Sequence, residues 1–141
     1  MSKMIIPCAI VLIDDNAVDL YLHEQVMRRA GKFEPIWPFS SPSEALDHLA
    51  SLPFLEPGAH YPILILLDIK MPEMDGFTWL NRFEKLPAAV QVRCHVIMLS
   101  STLQHTDSIR AEANPVVSAF MSKPLTVAGV LEISDGILNS G

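Results

Sequence analysis

The sequence predicts an α/β domain, a five-stranded parallel sheet with helices on both faces. Three observations predict it. Unbroken apolar runs of strand length stand at 9–13 and 63–67, and such runs read as strands buried on both faces, the mark of a central parallel strand. Strand-like and helix-like segments alternate through five repeats, which favours a parallel sheet between helical layers. The strands stop at polar groups (Asp14-Asp15, Asp68, Ser100-Ser101 and Lys123), and open α/β sheets carry their chemistry at the carboxyl ends of parallel strands.

In chain order, the first strand is 9–13. Residues 16–30 form a helix, with Val18, Tyr21, Leu22 and Val26 on one face and Gly31 as its stop. The second strand, 34–39, contains Pro38 and belongs at a sheet edge, because proline cannot donate to a ladder. Ser41-Pro42-Ser43-Glu44 is a capping box with proline at the first helical position. It opens a helix that turns Ala45, Leu46 and Leu49 inward. The connection 53–62 enters the strand ending in Asp68 from the far end of the sheet, so it reads as a tolerated insertion. Phe77, Leu80 and Phe83 give a helical face running to about Leu86. A further connection, 87–93, leads to the fourth strand, 95–99. Residues 102–114 form a marginal helix with Leu103, Ile109 and Ala113 as its few apolar points. The fifth strand is 116–121. Thr126 caps the last helix, Leu125 and Val130 staple it, and Val127, Leu131 and Ile137 or Leu138 face inward. Right-handed crossovers leave few topologies. The flavodoxin-like order 2-1-3-4-5 fits best, a (βα)5 three-layer sandwich with the proline-bearing strand at an edge and 63–67 at the centre.

Composition bounds the function. The chain has 141 residues and half of them are hydrophobic, enough for one domain over 1–141 with a core at about 9–138. No apolar run approaches the ~18 residues that span a bilayer, and the early residues show no secretory pattern. No membrane partner is expected. A net charge of −6 argues against a nucleic-acid partner. Cys8 and Cys94 read as buried thiols, and a cytoplasmic location follows most simply. The five histidines have no zinc-ligand spacing.

In this topology Asp14, Asp15, Asp68, Ser100 and Lys123 converge on one rim. Carboxylates that close together repel, which raises their pKa values or recruits a cation. A hard divalent ion with oxygen ligands, Mg²⁺ or Mn²⁺, suits the supply. An aspartate can accept a phosphoryl group as an acyl phosphate; the Lys123 ammonium, the Ser100 hydroxyl and the metal would then neutralise the three equatorial oxygens. Taken singly, Asp68 supports a phosphoacceptor, a phosphatase nucleophile or a cap, and Asp14 and Asp15 read as well as helix caps as they do as site residues.

Together the motifs resemble the receiver domain of bacterial two-component response regulators. They are Asp14-Asp15-Asn16, the run from Leu67-Asp68 through Ile69-Lys70-Met71-Pro72-Glu73-Met74-Asp75-Gly76, Ser100-Ser101, and Phe120-Met121-Ser122-Lys123-Pro124. The resemblance implies that Asp68 is phosphorylated by a sensor histidine kinase or a histidine phosphotransfer protein. It implies that Asp15 and Asp68 bind Mg²⁺ with the backbone carbonyl of Lys70, Asp14 acting through water. It implies that Ser100 and Lys123 contact the phosphoryl group, that Phe120 is a switch aromatic coupled to Ser100, and that Lys123–Pro124 is cis. The output surface would be the helix after Thr102, the fifth strand and the last helix, read by an unknown downstream protein. Such a protein is a signalling part, not an enzyme, catalysing only its own phosphorylation and dephosphorylation. Two departures stand out. Ala113-Asn114-Pro115-Val116-Val117 replaces a frequent Ala-Gly-Ala run, and Lys70 places a basic side chain beside the acceptor, where it would slow hydrolysis. With no output domain after the fifth helix, the reading is a stand-alone receiver or a domain excised from a longer chain. A pseudo-receiver, binding a partner independently of phosphorylation, is the alternative. A dehalogenase-like phosphatase would need an acid at Lys70, and a flavin carrier would need a phosphate-cradling loop where Asp14-Asp15 stand.

Overall fold

The computed structural model describes residues 8–52, 62–101 and 105–138. Its elements run β1 (Cys8–Ile13), α1 (Ala17–Ala30), β2 (Phe33–Phe39), α2 (Pro42–Ser51), β3 (Ile63–Asp68), α3 (Gly76–Phe83), α4 (Ala88–Gln91), β4 (Cys94–Ser100), α5 (His105–Ala113), β5 (Val117–Ser122) and α6 (Val127–Leu138). The five strands form one parallel sheet of order β2-β1-β3-β4-β5. This is the predicted flavodoxin-like arrangement, with Pro38 on the edge strand.

Strand side chains alternate between faces, and the core divides accordingly. Val11, Ile13, Ile65, Leu67, Val96 and Met98 meet α2, α3 and α5 through Leu49, Trp79, Phe83 and Ala111. Ile10, Leu12, Leu64, Leu66, Ile97 and Leu99 meet α1 and α6 through Met27 and Val130. All six residues of β1 and of β3 are buried, which is why both read as continuous apolar runs. Trp79, fully buried, stacks on Phe83 and donates from its indole Nε1 to the Pro42 carbonyl at 3.0 Å, tying α3 to α2.

The caps follow the sequence. The Asn16 side chain accepts from Asp19 N at 3.0 Å, the Ser41 hydroxyl from Glu44 N at 3.3 Å, and the Thr126 hydroxyl from Gly129 N at 3.0 Å. Leu125 and Val130 are both buried in one cluster, as the staple requires. Gly31 ends α1 at φ +76°, the left-handed conformation that favours glycine.

Four expectations are corrected. In α1 the Val18, Tyr21 and Leu22 side chains are more than half exposed, and His23 and Met27 are buried instead. The helix is rolled toward the polar residues that line the strand ends. In α6 Ile137 and Leu138 pack inward as expected, but Val130, Ile133 and Ser134 join them in place of Val127 and Leu131. In α5 Ala111 packs inward, while Ile109 and Ala113 face solvent. The connection 87–93 contains a helical turn, α4, pinned by the Gln91 amide on the Glu84 and Leu86 carbonyls at 3.0 and 2.7 Å. Residues 53–61 of the expected insertion at 53–62, and the residues Thr102 and Leu103, lie outside the described residues. After α5, Val116 N donates to the Asn114 side chain and Val117 N to its carbonyl, a tight turn into β5.

Candidate functional site

Register builds the site. Ile13 pairs with Leu67, which places Asp14 beside Asp68 at the ends of two adjacent buried strands. Asp68 pairs with Leu99, so Ser100 is one residue further along the next strand, and Ser100 pairs with Ser122, one residue before Lys123. Asp14 and Asp68 share the parity of Leu12 and Leu66, and Lys123 that of Met121. All three of those apolar residues belong to the α1–α6 face, so the two carboxylates and the ammonium emerge on the α1 side.

The loop after Asp68 is held closely. Ile69 N donates to the Leu99 carbonyl at 3.0 Å, Met71 and Met74 are buried, and Gly76 N returns to the Ile69 carbonyl at 2.8 Å. A Cβ at Gly76 would come within 3.0 Å of the Asp68 carbonyl oxygen, 3.1 Å of Ile69 Cα and 2.9 Å of the end of Met98. Only glycine lets α3 start this close to the strand end, and the Asp75 carboxylate caps that start on Thr78 N at 2.8 Å.

Ligand oxygens of Asp14, Asp15 and Asp68 lie within 4.8 Å of one another. Asp14 and Asp68 are buried and Asp15 is exposed, so the cluster opens to solvent on one side. Three hard carboxylates with one open side match the donor set of a divalent ion that keeps water ligands. Asp14 Oδ1 accepts from Asn16 N at 2.9 Å. Lys123 Nζ lies 2.8 Å from Asp14 Oδ2, 2.9 Å from Asp19 Oδ2 and 3.3 Å from Asp68 Oδ1. Burial pushes the Asp68 carboxyl up to about 6, and the Asp14 charge adds to the rise against the opposing pull of Lys123. For Lys123, burial disfavours the ammonium, but the hydrogen bonds it donates to Asp14 and Asp19 and the charges of Asp68 and Asp14 outweigh it. Its pKa lies above the ordinary lysine value.

The remaining predicted residues are placed as follows. Ser100 is buried at the end of β4, and its carbonyl accepts from Lys123 N at 2.9 Å. Phe120 is half-buried inside β5, opposite Met98 and on the same face as Ser100. Lys70 is exposed in the loop after Asp68. Lys123–Pro124 is cis.

Two residues were missed by sequence reasoning, Asp19 and His23. His23 is buried with Nδ1 3.9 Å from Asp14 Oδ2, and burial keeps its pKa below the usual histidine value despite the pull of Asp14. The signal was their spacing: four apart on one helix, they share a face, and Asp15 precedes Asp19 by the same interval.

Comparison with known proteins agrees with this geometry. Residues 10–134 match the model of the response regulator receiver domain. The chain is 29% identical over 133 residues to the chemotaxis protein CheY of Bacillus subtilis, covering 92% of this chain and 97% of that protein. It is 33% identical over 128 residues to protein-glutamate methylesterase/protein-glutamine glutaminase 2 of Chromobacterium violaceum, covering 89% of this chain but spanning only 32% of that protein's length. A crystal structure of a response regulator receiver protein from Dyadobacter fermentans superposes with a TM-score of 0.80 at 31% identity, covering 91% of this chain and 95% of that one.

Proposed function

From the premise that this chain belongs to the response regulator receiver domain family, we propose that it is a phosphorylation switch whose acceptor is Asp68. The observation that carries this reading is Asp68 itself. It sits buried at a strand end, between the Asp14 and Asp15 carboxylates and the Lys123 ammonium. Asp68 attacks a phosphohistidine on a sensor histidine kinase or a histidine phosphotransfer protein. A carboxylate oxygen forms the O–P bond while the donor's P–N bond breaks, and the electron pair stays on the imidazole nitrogen, which takes up a proton. Asp14, Asp15 and Asp68, with the Lys70 carbonyl, are the groups to hold Mg²⁺ or Mn²⁺, which would supply positive charge against the phosphoryl oxygens. Lys123 meets a second phosphoryl oxygen and the Ser100 hydroxyl a third.

Ser100 moving toward the phosphoryl group would let Phe120, on the same face, turn inward and reshape the surface of α5, β5 and α6 for a downstream protein. The thin apolar anchoring of α5 through Ala111 suits such a part, since switching elements come from the less stable regions of a fold. The unit is a single receiver domain with its core at about 9–138, working in the cytoplasm, and no described helix is long and apolar enough to cross a membrane.

The test is incubation with acetyl phosphate or phosphoramidate and Mg²⁺, followed by intact mass and phosphate release. The wild type is expected to gain one phosphoryl group and Asp68→Asn none. No gain in the wild type, or an equal gain in the variant, removes the acceptor. Partner binding that is indifferent to a blocked Asp68 would mark a pseudo-receiver.

A further inference from the structure

We propose that Asp19 is a positioning residue that competes with the phosphoryl group for Lys123; this deepens the acceptor reading of Asp68 and rests on it. The Lys123 ammonium has three N–H donors and three carboxylates around it. The contacts to Asp14 and Asp19, 2.8 and 2.9 Å, are tight hydrogen bonds, while the one to Asp68 is 3.3 Å. The resting lysine is therefore held most closely by groups other than the acceptor. Asp14 belongs to the acidic cluster that can hold a metal, but Asp19 does not. Its carboxylate adds negative charge at the mouth of the site without adding a ligand.

Helix geometry fixes that carboxylate. Asp19 lies in the first turn of α1, its N–H donating to the capping Asn16 side chain at 3.0 Å. A cleft of about 420 Å³ between α1 and the Lys123–Pro124–Leu125 segment is lined by both Asp19 and Lys123, so the ammonium has room to exchange partners. Removing the Asp19 carboxylate frees a donor on Lys123 for a phosphoryl oxygen.

The test is the initial rate of Asp68 phosphorylation by acetyl phosphate at saturating Mg²⁺, which sets aside any change in metal affinity. Asp19→Asn is expected to raise that rate about three- to tenfold, Asp19→Glu to return it toward wild type, and Asp19→Asn to change nothing in a Lys123→Ala background. An unchanged or slower rate in Asp19→Asn with a wild-type thermal midpoint overturns the proposal, as does an acceleration that survives the loss of Lys123. A second measurement uses the wild-type sequence: the Asp19 carboxyl carbon resonance is expected to shift on phosphorylation as Lys123 leaves it, and an unmoved resonance overturns the proposal. A wild type that takes no phosphoryl group defeats the acceptor reading itself. A phosphorylated wild type with an indifferent Asp19 defeats the competition alone.

Discussion

Asp68 lies at the end of β3, and burial followed by the charge of Asp14 pushes its carboxyl up to about 6. Its ordinary value in an unfolded chain is 3.8. The folded state thus holds the proton more tightly, and between roughly pH 4 and 6 it binds more protons than the unfolded state. Stability falls as pH rises through that window. Lys123 is shifted upward too, which for a lysine favours the charged form at neutral pH, but that gain comes chiefly from Asp14 and Asp19, so it does not cancel the strain at Asp68. With chelator present, Asp68→Asn is expected to be more stable than wild type by about 1–2 kcal/mol at pH 7 and to lose the decline between pH 4 and 6. Urea titrations at several pH values measure this. Asp14, Asp15, Asp68 and Lys123 were legible because each follows a strand, and strand ends in a known order must meet. Asp19 and His23 were not, because on a helix polarity alone does not separate a side chain facing water from one facing a charged pocket.

The roll of α1 carries the same lesson to a whole element. Counting apolar residues selects Val18, Tyr21 and Leu22 for the interior, but the hydrogen bond from Lys123 to Asp19 and the burial of His23 and Met27 set the helix phase. Met27→Ala is expected to cost about 2–4 kcal/mol, whereas Tyr21→Ser and Leu22→Ser stay within about 0.5 kcal/mol, as measured by chemical denaturation. The turn α4 was illegible for a different reason, since four residues are too few to show a period. The start of α3 was half legible. Asp75-Gly76 announces a turn, but nothing in the sequence says that the Asp68 backbone lies within a methyl group's reach. Gly76→Ala should destabilise the chain by about 1–3 kcal/mol, and because the pressure falls on the acceptor's own carbonyl, phosphorylation should slow with it.

For the molecule as a whole, the sheet order was readable because alternation, one edge proline and two runs buried on both faces leave few alternatives. The core faces followed from period two, except where helices had to be phased. A cation bound to the acidic cluster of the folded state, and not to the unfolded chain, stabilises by linkage, about 1.4 kcal/mol at ten times its Kd. The thermal midpoint is expected to rise with Mg²⁺ in wild type and to stay flat in Asp15→Ala, which scanning calorimetry can follow. The 2-1-3-4-5 sheet has one more consequence. Asp14 and Lys123 meet across 109 residues of sequence, and a chain emerging from the ribosome presents its aspartates long before β5 can bring the lysine. Until that last strand docks, the carboxylates repel one another without Lys123, and contacts so distant in sequence are slow to form. The group proposed to receive the phosphoryl oxygens is also the counter-charge that arrives last in synthesis, so readiness to signal would report that the sheet has closed.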